Sequence, residues 1–146
     1  MAETHLDSVL VLGAGKIGTT VADMLAHHHP RLKLTLADQL PPPAESSSDD
    51  PLRRIVLDAR RSEHLRAALS VHDAVINCLP FFMAQPVAEA AAGCGVHYFD
   101  LTEDVTATRA IRQMNGAAVR MPQWGLAPGE VGMLGWDLAW RFKWDR

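Results

Sequence analysis

Ser8-Val9-Leu10-Val11-Leu12-Gly13-Ala14-Gly15-Lys16-Ile17-Gly18 decides how this chain of 146 residues is read. Its first five residues are almost continuously apolar and end on glycine, the pattern of a parallel strand buried on both faces. After the glycines, Ile17, Val21, Met24 and Leu25 recur at helical spacing through His28. Pro30 ends that helix, because the residue before a proline is pushed out of the helical region. A second strand is predicted over 32–37, closing on Asp38. Strand, glycine turn, helix and strand within about 30 residues make one βαβ unit.

Each glycine of Gly13-Ala14-Gly15-Lys16-Ile17-Gly18 has a mechanical reason. Gly13 makes the strand-to-helix turn, Gly15 admits a pyrophosphate against the backbone, and Gly18 lets helix and strand pack closely. The free N–H groups and the positive end of the helix dipole then face phosphate oxygens. The six loop residues are therefore candidate ligands of NAD or NADP. Asp38, twenty residues after Gly18, is placed to accept hydrogen bonds from a ribose and to repel a 2′-phosphate, which favours NAD. The alternative for Asp38 is a solvated acid that caps the following loop. Arg53, Arg54, Arg60 and Arg61 follow; they form a solvated face or supply a phosphate contact that would admit NADP.

Outward from this unit the alternation continues. The segment 41–51, rich in Pro, Ser and Asp, is predicted as a surface loop in place of a crossover helix. A strand is expected at Ile55-Val56-Leu57, a helix over 63–69, and a strand at Ala74-Val75-Ile76-Asn77-Cys78 stopped by Pro80. An alanine-rich helix over 85–94 ends at Gly95. A strand over 96–99 ends at Asp100, a helix runs over about 106–115, and a last strand over 118–121. The fold class is α/β: a doubly wound Rossmann sheet of about six parallel strands with helices on both faces.

Composition narrows the function. Apolar residues are 48% and charged residues 21% of the chain, which suits a globular core rather than disorder. A net charge of −3 supplies no basic field for nucleic acid or an anionic membrane. No apolar stretch approaches the ~18–20 residues of a membrane span, and Met1-Ala2-Glu3-Thr4-His5 does not read as a secretory signal. Two cysteines, Cys78 and Cys94, make no disulfide framework, so a reduced, cytoplasmic protein is expected. No metal site is expected: His27, His28 and His29 point in different directions on a helix, and the cysteines lack ligand spacing. Asp100, Glu103 and Asp104 either form an acidic group at a strand end, where ligands bind in open α/β sheets, or cap the next helix through Asp104 or Thr106.

Several stretches together resemble the saccharopine dehydrogenase family, which includes saccharopine reductases and lysine dehydrogenase-like enzymes. They are 11–18, Leu57-Asp58-Ala59-Arg60, Asp73-Ala74-Val75-Ile76-Asn77-Cys78-Leu79-Pro80, His97-Tyr98-Phe99-Asp100-Leu101-Thr102-Glu103 and Pro122-Gln123-Trp124-Gly125-Leu126-Ala127-Pro128-Gly129. The resemblance implies an NAD(P)-binding domain over 1–130 of an oxidoreductase acting on the C–N bond of a saccharopine- or lysine-type amino acid. It implies that Asn77, Cys78, Leu79, Pro80, Asp100, Leu101 and Thr102 border the nicotinamide, and that Asp58 and Ala59 sit by the adenine. No catalytic acid or base is assigned. The chain departs from the family pattern at Trp124 and Glu130. A substrate domain would need another ~100–200 residues, so 131–146 are expected to begin one, in a chain either truncated or naturally short. A stand-alone, non-catalytic nucleotide-binding module is the alternative. Val131, Leu134, Leu138 and Phe142, with Trp136, Trp140 and Trp144, give a helix apolar on more than one side. Such a helix either folds back on the sheet or joins a second copy, and a homodimer through 131–146 is expected.

Overall fold

The computed structural model describes residues 6–42 and 52–123. Among the described residues six strands and four α-helices follow in the order β1 (Ser8–Leu12), α1 (Lys16–His28), β2 (Lys33–Asp38), β3 (Leu52–Val56), α2 (Ser62–Leu69), β4 (Ala74–Asn77), α3 (Ala84–Cys94), β5 (His97–Asp100), α4 (Val105–Gln113) and β6 (Arg120–Met121). One 3₁₀ turn, Phe81–Met83, leads into α3. All pairings are parallel, in the order β3-β2-β1-β4-β5-β6. The order reverses between β1 and β4, the topological switch point at which open α/β sheets bind their ligands. The doubly wound α/β sheet of the sequence reading is therefore the fold. Most of the predicted loop over 41–51 and the whole segment 131–146, with its helix and dimer, lie outside the described residues.

Successive side chains of a strand point to opposite faces, and each face has its own core. On one, Leu10, Leu12, Val75 and Tyr98 pack against Leu65, Leu69, Val87, Ala91 and Ile111 of α2, α3 and α4. On the other, Val9, Val11, Leu34 and Leu36 pack against Ala22 of α1. The helix α1 rests on β1, β2 and β3. Gly95 ends α3 in the left-handed region, φ 71°, a conformation glycine adopts without penalty.

Three details differ from the sequence reading. The third strand starts at Leu52 rather than Ile55, because an edge strand keeps a polar run such as Arg53-Arg54 while burying Leu52. The last strand shrinks to two residues. On α1 the buried positions are Gly18 and Ala22, while Ile17 and Met24 stay 60% and 56% exposed. Of the apolar stripe that helical spacing marks, Leu25 packs against the core while Ile17 and Met24 do not.

Tyr98, with no exposed surface, ties the ends of β4 and β5 together. Its hydroxyl lies 2.6 Å from Asp100 Oδ2 and 3.0 Å from the Ala84 carbonyl, and it accepts from Asn77 Nδ2 at 3.2 Å. A phenol has one proton, and the shorter, charge-assisted contact to Asp100 is the stronger bond. Burial raises the Tyr98 pKa far above the ordinary phenol range, and the neighbouring Asp100 adds to it. Tyr98→Phe leaves Asn77 and Asp100 short of a partner in a dry site and should cost about 1–3 kcal/mol, read as a lower urea midpoint with unchanged slope.

Candidate functional site

Loops from the C-terminal ends of four strands enclose a cleft of about 350 Å³. Gly13 and Gly15 follow β1, Asp38 and Gln39 end β2, Leu57–Arg60 follow β3, and Cys78, Leu79 and Pro80 follow β4. A second lobe of about 270 Å³ shares Cys78 and Leu79 and reaches Ile17, Asn77, Asp100, Leu101 and Thr102. A third, about 300 Å³, lies between Ala14, Gly15, Asp38 and Arg54.

The glycine loop explains the approach of α1 to this cleft. Gly13 adopts φ +96°, and a Cβ there would crowd the Cys78 carbonyl at 3.0 Å. A Cβ on Gly18 would overlap the Gly13 carbonyl oxygen, so no side chain fits between α1 and the turn. Gly15 is different: a Cβ would meet nothing within 4 Å. Its backbone is ordinary and extended, φ −69°, ψ −176°, and no side chain caps the helix it opens. Neither strain nor protein packing requires glycine at this position. The first N–H groups of α1, which lack intrahelical partners, open onto that space, and this arrangement fits a phosphate. Lys16 is exposed on the first turn, and Gly18 is buried beneath it.

Asp38 is fixed by two backbone donors: Ala14 N–H to Oδ2 at 2.7 Å and Leu40 N–H to Oδ1 at 3.0 Å. The carboxylate thus caps its own loop, the second of the two alternatives read from the sequence, and it also lines the cleft. Each oxygen keeps a free lone pair for a hydroxyl donor. Asp58 grips Arg60, with Nε to Oδ1 at 2.8 Å and Nη2 to Oδ2 at 3.0 Å. The Arg60 hydrogen bond holds the Asp58 carboxyl below its usual range, and Asp58 raises the guanidinium in turn. The same Nη2 lies 3.4 Å from Gln39 Oε1, so Arg60 reaches the residue that follows Asp38. Of the four arginines considered, Arg54 and Arg60 line the cleft lobes, while Arg53 and Arg61 line none of them.

The residues beyond β4 and β5 divide. Cys78, Leu79 and Pro80 form a wall of the cleft. Asn77 and Asp100 lie deep beneath it, 2% and 1% exposed, and serve backbone groups. Asn77 Oδ1 accepts from Leu79 N–H, and Asp100 Oδ1 accepts from Thr102 and Gln123 N–H. These bonds shape the two strand-end turns. Of the acidic group, Asp104 is a cap, accepting from Ala107 N–H at 2.6 Å at the start of α4, while Asp100 and Glu103 line the second lobe. Gln39, Phe82 and Met83 also line the cleft without having been singled out from the sequence. Only the order of the strands brings them there, and no motif announces them.

Residues 9–127 match the family model described as the saccharopine dehydrogenase NADP binding domain. This chain belongs to that family. The saccharopine dehydrogenase (L-Glu forming) of Saccharomyces cerevisiae is similar in structure, with a TM-score of 0.77 and 23% identity. The likeness covers 92% of this chain and 32% of that enzyme, so the chain spans about a third of its length. RSP in complex with beta-NADH is similar over 92% of this chain and 60% of its own, at 15% identity and TM-score 0.59. The TrkA-N domain of the inner membrane protein ybaL from Escherichia coli matches over 92% and 98%, at 14% identity and TM-score 0.67. At these identities the likeness is one of fold. With the family match, it makes this chain a nicotinamide-dinucleotide-binding Rossmann domain of saccharopine dehydrogenase type.

Within this saccharopine dehydrogenase-type domain, Cys78 stands where the two cleft lobes meet, yet burial pushes its thiol up to about 11. The thiolate is the nucleophile, so Cys78 holds its proton at neutral pH. Mass-resolved alkylation by iodoacetamide should leave Cys78 largely unmodified at pH 7, with the rate climbing only as pH approaches the raised value. Rapid labelling of Cys78 at pH 7 in the folded protein would contradict this assignment.

Proposed function

We propose that this domain binds NAD(H) in preference to NADP(H), as the cofactor half of an oxidoreductase acting on the C–N bond of a saccharopine- or lysine-type amino acid. The observation that carries the binding site is the open space at Gly15, in front of an uncapped helix at the switch point of the sheet. The pyrophosphate would lie against Gly13, Ala14, Gly15, Lys16, Ile17 and Gly18. The adenosine would occupy the lobe bounded by Asp38, Asp58 and Ala59, and the nicotinamide the lobe bounded by Asn77, Cys78, Leu79, Pro80, Asp100, Leu101 and Thr102.

When bound, the nicotinamide supplies or accepts the hydride. The chain's own residues bind and orient it. Asp38 offers its fixed carboxylate to the adenosine ribose and opposes a 2′-phosphate by charge. Phe81 and Phe82, packed edge to face at 5.9 Å and both about two-thirds exposed, stand at the mouths of the two lobes. They suit cover by cofactor or by a substrate domain, which would supply the amino-acid contacts and the catalytic acid or base.

Two observations favour competing readings. Arg54 and Arg60 reach the lobes around Asp38, which favours NADPH. Cys78, which lines the second lobe, and the buried Tyr98 both hold their protons, which favours a stand-alone module that binds cofactor without turnover. Titration with NADH and NADPH, with an assay for amino-acid-dependent turnover in the longest natural reading frame, separates these. NADH binding with no turnover of any lysine-type substrate supports the module.

Gly15→Val should abolish NADH binding with the circular dichroism and melting curve intact, because the backbone tolerates the side chain and the phosphate space does not. Unchanged affinity in a folded variant overturns the site. A hydrogen bond to a charged group contributes about 1.5–3 kcal/mol, so Asp38→Ala should weaken NADH by about 10- to 100-fold and narrow its advantage over NADPH. A wild-type preference for NADPH would transfer the discriminating role to Arg54 and Arg60.

A further inference from the structure

Arg60 is exposed and yet held in one plane. Its backbone N–H and its Nε donate to Asp58 Oδ1 at 3.1 and 2.8 Å, and its Nη2 donates to Asp58 Oδ2 at 3.0 Å. The same Nη2 reaches Gln39 Oε1 at 3.4 Å. A carboxylate accepts about four hydrogen bonds, and Asp58 gives most of that capacity to Arg60. Every side-chain bond leaves the guanidinium through its edge, so the bonds fix its plane and occupy neither face. The Arg60 side chain is 68% exposed, and it lines the cleft beside Gln39, Asp58 and Ala59.

The cleft gives that plane a counterpart. In the sheet β3 and β4 flank β2 and β1, so the loops that follow β3 and β4 wall the cleft from opposite sides. Arg60 stands on the β3 side, and Phe82 and Met83 stand beyond β4. A flat cation on one wall and apolar side chains on the other suit a flat aromatic ring. The inference rests on the placement of the dinucleotide proposed above, which brings its adenine to Asp58 and Ala59. An uncommitted carboxylate there would accept from the 6-amino group of the base. In this chain the carboxylate is already paired with a cation.

We propose that Arg60 binds the adenine by stacking its guanidinium on the face of the purine, and that Asp58 is a positioning residue that holds the guanidinium flat. The delocalised guanidinium is weakly hydrated and stacks on aromatic faces, where the ring quadrupole attracts it. The base is then recognised by its π-surface and not by its hydrogen-bonding edge. A purine that carries a carbonyl in place of the 6-amino group should be accepted nearly as well as adenine.

Isothermal titration of the intact 146-residue protein with NADH and with reduced nicotinamide hypoxanthine dinucleotide tests this. The two should bind within about threefold of each other, whereas a bond from the 6-amino group to Asp58 would separate them by about 10- to 100-fold. Arg60→Ala alters an exposed side chain, so the melting curve should hold while both dinucleotides weaken by about 3- to 30-fold. Arg60→Lys keeps the charge without the plane and should restore little. Asp58→Asn should weaken both dinucleotides alike and add nothing to Arg60→Ala in the double variant. NADH affinity untouched by Arg60→Ala, full rescue by lysine, or a tenfold or greater preference for NADH over the hypoxanthine analogue would each overturn the stacking and leave the dinucleotide site standing. A wild-type protein that binds no NADH would overturn that site and the stacking with it.

Discussion

The contact on which the site depends is the one between Gly18 and the carbonyl of Gly13. With no side chain at Gly18, the first turn of α1 settles directly on the turn after β1. Any Cβ would lift the helix and carry its N-terminal amides away from the crevice between β1 and β4. The positive φ of Gly13 and the close approach of the Cys78 carbonyl belong to the same junction. Three chain segments meet there with almost no side-chain atoms between them. Gly15, by contrast, opens onto space in which a Cβ would meet nothing within 4 Å.

Around that junction the strand ends are held by polar groups that look functional in sequence and act largely as braces. Asp38 clamps Ala14 and Leu40, Asn77 clamps Leu79, and Asp100 clamps Thr102 and Gln123. Carboxylates and amides suit this work because they accept several backbone N–H bonds from turns that have no sheet partner. The brace at Asp38 also holds its carboxylate at the wall of the cleft. At Asp100 the side chain is engaged with Tyr98 and two backbone amides. The side chain therefore shapes the Leu101–Thr102 turn.

The two faces of the sheet are finished unequally. On one, three helices bury Leu10, Val75 and Tyr98 completely. On the other, α1 alone covers half the width, and the half-buried Ile76 and Phe99 mark where cover stops. Here the helices of the second half lie on one face, and among the described residues no helix covers the rest of the other. The enzyme of similar fold is about three times as long.

The sequence by itself determined the alternation of strands and helices, the glycine loop, Asp38 at the end of the second strand and the family. These are local signals: an apolar run before a glycine turn, helical spacing, and short motifs whose residues are neighbours in the chain. The third strand begins three residues earlier than its apolar run suggests, because an edge strand tolerates arginines that a buried strand would refuse. Only the tertiary structure decided that Arg60 reaches Gln39, that Cys78 and Leu79 join two lobes of one cleft, and that the stripe Ile17–Met24 faces open space rather than core. Those facts depend on which strands become neighbours. Strand order is set by long-range packing across the switch point, and hydrophobic spacing along the chain carries no record of what lies opposite.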